Sequence, residues 1–304
     1  MKNYKNIVTL LTMLFIITLL FTACQNSEKI PISYSVLECG FSDSIPDANH
    51  KVESDFFETT SFKDSNALQN KIIKVNVSNL KNKEIKGTYQ KSFIREGKEY
   101  QNFCSSEGID FVIDKETGML TNCFFGEKFL SKSNEELSID ECITIAKTTI
   151  EQFSSVNLSD DYVISVKTDS LNDTLYEITF TKTINEIPAY DCASVTLSKN
   201  GSIYVYYTWN FGSVPSDTEI DFIDISQIDQ ILKEKLDAIY QPVKDKGIYD
   251  RIEYGSPSLH ITLDENKLPA LSCDIGVDCF TDLGEGYTCQ TGDLLRLLIK
   301  KDVK

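Results

Sequence analysis

The second half of the chain contains the same helix-start pattern twice, in segments 137–147 and 223–233, which align without gaps. In the first copy Ser138 precedes Glu141 by the spacing of a capping box, in which each side chain bonds the backbone N–H of the other residue. A helix with one apolar face is stable only when that face is buried. The repeat therefore favours two related units, each containing one helix.

The two helices are predicted over 139–154 and 225–240, and the second copy has Asp224 and Gln227 at the capping-box positions. In each, apolar residues recur at spacings of three and four, which places them on one face. Alternating segments separated by Gly, Asn and Asp, typical of strands, lie before and after the helices. Strands are predicted at 72–77, 85–93, 109–113, 119–125, 162–168, 175–183, 193–198, 202–210, 249–254, 258–263 and 270–277.

Two segments, 111–120 and 195–203, consist of a strand, a short polar turn, a glycine and a second strand. A helix followed by antiparallel strands that end in this way resembles PepSY and PepSY-like domains. The resemblance implies an α+β fold of tandem modules, PepSY/cystatin-like, each with one helix packed on an antiparallel sheet. It also implies an extracytoplasmic bacterial protein that inhibits or chaperones an enzyme. The family pattern supplies no catalytic residues to transfer to this chain.

The N-terminus has the pattern of a secretory signal, with Lys2 and Lys5 before an uncharged run at 7–23. The run ends in Phe-Thr-Ala before Cys24, which resembles the lipobox of bacterial lipoproteins. We therefore expect cleavage before Cys24, lipidation of its thiol, and anchoring to the outer face of the cytoplasmic membrane of a Gram-positive-type bacterium. Two alternatives stay open: release after cleavage nearby, or an uncleaved membrane anchor.

These features divide the chain into five expected segments. They are a signal peptide (1–23), the lipidated cysteine with a polar tether (24–66), a mostly β module (67–133), an α+β PepSY-like module (134–215) and a second, shortened α+β module (216–304).

The charge of the chain excludes one class of partner. The sequence has 30 basic and 46 acidic side chains, a formal net charge of −16, and no basic stripe that could follow a phosphate backbone. We therefore expect that the chain does not bind nucleic acid. Its acidic surface either serves only to keep the protein in solution or binds cationic partners. Only two histidines are present, and no metal site or cofactor is predicted.

Besides Cys24, the chain has eight cysteines, none in a C-x-x-C pair. An even number outside the cytoplasm permits disulfides, but a chain of this length can bury a core without them. We expect one or two disulfides at most. Cys142 lies within an apolar run and is predicted to be a buried thiol.

One strand suggests a partner surface. In 203–211, alternation predicts that Tyr204, Tyr206 and Thr208 share a face exposed to a protein partner or a glycan. The alternative is a tyrosine ladder without a binding role. The opposite face is predicted to be core and consists of Ile203, Val205, Tyr207, Trp209 and Phe211. By the same alternation, His260 is predicted to face solvent.

The sequence supports two classes of function. The first is a membrane-tethered, non-enzymatic protein that binds or modulates an envelope protein or enzyme. It is motivated by the repeat, the predicted anchor and the absence of G-x-S-x-G, H-E-x-x-H and phosphate-loop motifs. The alternative is a solute- or glycan-binding protein or a hydrolase of the envelope with an unfamiliar site.

Overall fold

A computed structural model describes residues 33–77, 80–130, 135–168 and 174–303. Within these ranges the chain is mostly β-sheet, with two α-helices. The strands are β1 (Tyr34–Phe41), β2 (Thr60–Phe62), β3 (Asn70–Val77), β4 (Leu80–Arg95), β5 (Lys98–Ser105), β6 (Asp110–Asp114), β7 (Leu120–Phe124), β8 (Tyr162–Thr168), β9 (Leu175–Ile184), β10 (Ile187–Ser198), β11 (Ile203–Trp209), β12 (Arg251–Tyr254), β13 (Ser258–Leu263), β14 (Pro269–Gly284) and β15 (Tyr287–Lys301).

The first helix, α1, spans Ile139–Ser154, as predicted. Its capping box is formed: the backbone N–H of Glu141 donates to Ser138 Oγ at 3.3 Å, and the backbone N–H of Ser138 donates to Glu141 Oε2 at 2.8 Å. These bonds satisfy two of the donors that a helix start leaves free. The buried face includes Cys142, Ala146 and Ile150, so the predicted helical periodicity is confirmed.

The second helix, α2, spans Ile228–Lys246, so its predicted bounds of 225–240 are only partly correct. A 3₁₀ turn at Ile225–Gln227 precedes it, and the Asp224 side chain accepts the N–H of Ser226 at 3.0 Å. Gln227 makes no capping bond with its side chain, so the second predicted capping box is not formed. The helix ends at Gly247, whose φ of 59° is the left-handed conformation that glycine adopts most readily.

The predicted α+β fold of repeated helix-on-sheet modules is wrong. The described strands form one large mixed sheet, in which hydrogen-bonded neighbours follow the order β1-β15-β14-β13-β10-β11-β7-β6-β5-β4-β2. β12 pairs with β14, β3 with β4, β9 with β10, and β8 with β9. Periodicity identified most of these strands, but it carries no information about which strands pair. The sheet is continuous because β7 pairs with β11 and β10 meets β13 in parallel at Ala189 and Ile261.

Two main apolar clusters lie on this sheet. One contains residues from Ile73 to Phe211 and includes the buried face of α1. The other contains residues from Ile45 to Ile299 and includes the buried face of α2. The first cluster joins the predicted mostly β module to the α+β module that follows it.

β1 and β15, which were not predicted from the sequence, pair with each other and lie near the two ends of the described chain. β1 lies inside the segment expected to be a polar tether, and it pairs antiparallel with β15 from Tyr34 opposite Lys301 to Phe41 opposite Leu295. Within the described ranges, none of the helices has the length and apolar character needed to span a bilayer.

Candidate functional site

The structure places the sequence-predicted site residues in different environments. Cys24 lies outside the described residues. Tyr206 and Thr208 are 0% and 4% exposed, so the prediction that they point to solvent is wrong. Tyr204 is half-buried, with its ring 5.1 Å from that of Phe124. These three residues therefore do not form an exposed surface.

A β-bulge explains the reversed faces of β11. Leu197 lies opposite Ile203, whereas Thr196 lies opposite Val205, so Tyr204 is the extra residue. An extra residue shifts the alternation by one position and moves every following side chain to the other face. Tyr206 therefore lies in the core with Ile203, while the predicted core residues Tyr207 and Trp209 are only half-buried on the opposite face.

Trp209 is part of a stacked column that crosses the junction between β10 and β13. Its ring stacks on Tyr190 at 5.3 Å, and Tyr190 stacks on His260 at 4.5 Å. The Arg95 guanidinium lies 4.9 Å from the Trp209 ring. Both faces of Tyr190 are therefore occupied, which leaves no flat surface there for a sugar ring.

His260 is half-buried within this column, so the prediction that it faces solvent is wrong. Burial lowers the pKa of the imidazole, because a charged ring would be poorly solvated there. Its Nδ1 is buried and has no hydrogen-bond partner among the described residues.

A second polar cluster, which sequence reasoning missed, surrounds His50. Its Nδ1 lies 3.2 Å from Glu38 Oε2 and its Nε2 lies 2.8 Å from Asp293 Oδ2, with all three side chains at most 3% exposed. The Tyr240 hydroxyl donates to Asp293 Oδ2 at 3.0 Å. Because both ring nitrogens face carboxylates inside the protein, neither is available to act as a base on a substrate.

Asp293 also binds the chain that follows β1. Its Oδ1 accepts the N–H groups of Ser44 at 2.6 Å and Ile45 at 3.1 Å. Although burial alone would raise the pKa of Asp293, hydrogen bonds from His50, Ser44 and Tyr240 lower it. The cluster around His50 therefore ties the N-terminal segment to β15 and α2.

Several thiols are poor nucleophiles. Burial raises the pKa of Cys273 to about 12 and the pKa of Cys39, Cys192 and Cys279 to about 11. Such thiols are protonated at neutral pH and react slowly. Cys142 is 0% exposed and is a free thiol, as predicted.

A groove of about 780 Å³ lies near the junction of β10 and β13. It is lined by segments that are far apart in sequence: 55–60, the β4–β5 turn at 94–98, the β6–β7 turn, the β11 end, and the β13–β14 turn at 262–267. No local motif could have predicted it. Its charged lining comprises six acids, Asp55, Glu58, Glu96, Glu116, Asp264 and Glu265, and two lysines, Lys98 and Lys267.

Two acids of the groove are buried. Glu96 is 9% exposed and accepts hydrogen bonds from Trp209 Nε1 at 2.8 Å and from the side-chain amide of Asn210. Asp264 is 4% exposed, and its Oδ1 accepts the N–H groups of Asn266 and Leu268 at 2.8 and 2.9 Å. Its Oδ2 has no partner in the part of the chain that the structure describes.

Three further acids of the groove, Asp55, Glu58 and Glu116, are exposed and form no ion pair with another described residue. Glu265 pairs with Lys300. Carboxylates gathered in a concave surface focus a negative potential, which attracts cationic groups. No cluster of three or more His, Cys, Asp or Glu side chains within the described ranges has the arrangement of a metal site.

Comparison with known proteins gives one structural similarity. No protein-family model matches the chain, and no curated protein matches it. Among solved structures, the chain is similar to the C-terminal domain of YpeB from Bacillus megaterium, with 13% sequence identity and a TM-score of 0.30. The similarity covers 73% of this chain and 88% of that chain. A TM-score this low does not establish a common fold, so membership of a PepSY-like family stays a prediction.

Proposed function

We propose that this chain is a lipid-anchored, extracytoplasmic binding protein whose acidic groove holds a basic segment of an envelope protein. The observation that carries the proposal is the lining of the groove, which contains six carboxylates and only two lysines. Three of those acids are exposed and unpaired among the described residues, so a cationic ligand would not have to displace an existing ion pair.

The groove is also large enough for more than one side chain. Its volume of about 780 Å³ lies in the range of ordinary ligand sites, which extends from about 300 to 1,000 Å³. A segment with two or more lysines or arginines would contact acids from several of the lining turns at once. Charge pairing at a partly exposed groove gives specificity and fast association more than high affinity.

A binding role rather than catalysis is supported by the chemistry of the polar side chains. His50 has a carboxylate at each ring nitrogen, and burial keeps the Cys273 and Cys192 thiols protonated. Anchoring through Cys24 is part of the proposal and rests on the signal-like sequence that precedes this residue.

Calorimetric titration with a peptide of alternating lysine and alanine tests the groove. We expect the double variant Glu58→Lys/Glu116→Lys to weaken binding by about tenfold or more. The matched control is Glu136→Lys/Asp160→Lys, which makes the same change in net charge at exposed sites outside the groove and should bind like the wild type. Equal weakening by both variants would show attraction to the overall charge alone, and would refute the groove as the site.

The anchor is tested separately in a Gram-positive host that expresses the full chain. Incorporation of labelled fatty acid and recovery in the membrane fraction are expected for the wild type, and both should be lost in Cys24→Ala. A Cys24→Ala protein that still carries the label, or a wild type that lacks it, would contradict lipidation at this residue.

A further inference from the structure

The hairpin of β14 and β15 extends beyond the rest of the sheet. Pairing of β12 with β14 ends with Arg251 opposite Phe280, and pairing of β1 with β15 ends with Phe41 opposite Leu295. From Tyr287 to Gly292, β15 has β14 on one side and no described strand on the other. The outer backbone groups of this segment, which we call the free edge (287–292), therefore have no strand partner within the described ranges.

The free edge lacks the features that normally prevent strands from pairing between molecules. Edge strands are commonly protected by charged side chains, proline or a covering element. The free edge has the sequence Tyr-Thr-Cys-Gln-Thr-Gly, with no charge and no proline. Large apolar side chains around it are exposed: Leu283 by 67%, Tyr287 by 69% and Leu294 by 62%.

We propose that the free edge pairs antiparallel with the free edge of a second copy of this chain, across a two-fold axis. An antiparallel strand edge is complementary to itself, because each residue presents the same donors and acceptors to its symmetry mate. Two copies of a chain with a net charge of −16 repel each other over most of their surface. The repulsion is smallest where neither copy carries a charge, and the free edge is such a segment.

The side chains of the free edge suit this pairing. With Gln290 opposite its own copy, Cys289 faces Thr291 and Thr288 faces Gly292, so no two charged groups are brought together. Cys289 is exposed and lies near the middle of the segment. In this register Cys289 and its copy are diagonal neighbours, so their Cβ atoms would lie about 7 to 8 Å apart or slightly closer.

Sedimentation equilibrium of the chain from residue 25 onward tests the pairing. We expect a reversible dimer in the wild type, and a dissociation constant about threefold to tenfold higher in both Gln290→Lys and Gln290→Glu, because residue 290 lies opposite its own copy and like charges would face each other across the axis. An equimolar mixture of the two variants should dimerise again. Thr88→Lys, an exposed threonine on a strand with neighbours at both edges, is the matched control and should behave like the wild type.

Cross-linking with a short bismaleimide provides a second readout. A covalent dimer is expected in the wild type and should be absent in Cys289→Ser, and thermal unfolding should confirm that each variant is folded. A chain that is monomeric at every concentration that stays in solution would overturn the proposal. So would a dimer that is unaffected by charge at residue 290, or a dimer in which Cys289 is not cross-linked to its copy.

The test of self-association is independent of the test of peptide binding in the groove. The groove is lined by segments that include 55–60, 94–98 and 262–267, whereas the free edge lies on the distal part of the β14–β15 hairpin. Glu58→Lys/Glu116→Lys should therefore leave self-association unchanged, and Gln290→Lys should leave peptide binding unchanged.

Discussion

Replacing Asp293 by alanine should be among the most destabilising single substitutions in this chain. The carboxylate accepts hydrogen bonds from the N–H groups of Ser44 and Ile45, from Tyr240, and from the imidazole of His50. The alanine variant removes all of these acceptors at once. Three of the four donors stay buried, since Ile45 and Tyr240 are 1% and 0% exposed and the His50 side chain is 3% exposed. Ser44 is exposed, so water can reach its N–H group.

The magnitude follows from those lost contacts. A buried donor that loses its acceptor costs about 1–3 kcal/mol, and a hydrogen bond to a charged group contributes about 1.5–3 kcal/mol. The costs are not additive, because the segment that follows β1 can detach and let water reach its N–H groups. Three buried donors that lose their acceptor, with part of the cost relieved by water, therefore give an expected loss of about 3–5 kcal/mol in the free energy of unfolding of Asp293→Ala.

Urea denaturation followed by far-ultraviolet circular dichroism measures this change. Asp282→Ala is the matched control, since it removes the same charge from an exposed position on the same hairpin, and it should change stability by less than about 1 kcal/mol. A loss below about 1 kcal/mol in Asp293→Ala would refute the conclusion that the cluster around His50 holds the N-terminal segment to β15.

Two further predictions concern pH and packing. Burial alone would raise the pKa of Glu53, but hydrogen bonds from Lys235, the Glu38 backbone and Lys51 lower it from 4.5 to about 2. The contribution of the Glu53 carboxylate to stability is therefore complete above pH 4.5 and is lost as the pH falls toward 2. Glu53→Gln should therefore lower the free energy of unfolding at neutral pH. In urea titrations at a series of pH values, the free energy of unfolding of this variant should fall less steeply between pH 4.5 and 2 than that of the wild type. An equally steep fall in both proteins would contradict this. Gly87→Ala should lower the free energy of unfolding by about 1–3 kcal/mol, because a Cβ there would lie 2.5 Å from Phe111 Cε1. A free energy of unfolding, measured by thermal unfolding, within about 0.5 kcal/mol of the wild-type value would contradict this.

Features formed by residues close together in sequence were more predictable than features formed by distant segments. The capping box of α1 joins Ser138 and Glu141, which are three positions apart, and both its bonds are formed. At the corresponding position before α2, Asp224 instead caps a 3₁₀ turn, because its side chain takes the nearer N–H of Ser226. Both arrangements use local side-chain to backbone bonds, so the same pattern led to two different helix starts.

Strand faces were less predictable than strand positions. Segment 202–210 was predicted as a strand, and β11 forms at Ile203–Trp209. The bulge at Tyr204 then exchanged its two faces, so Tyr206 became core. A bulge depends on the register with the neighbouring strand, which no pattern within β11 encodes. The predicted partner surface failed for this reason.

The sequence by itself determined the position of α1, the positions of most strands, the buried state of Cys142 and the strongly acidic charge. Each depends on residues within a few positions of one another or on composition. Only the tertiary structure decided that the strands form one sheet, that His50 meets Asp293, and that acids from distant turns line one groove. These features depend on pairing between segments such as β1 and β15, which lie near opposite ends of the chain. Such pairing is selected by the energy of the whole sheet, because each strand can satisfy its backbone hydrogen bonds with many different partners.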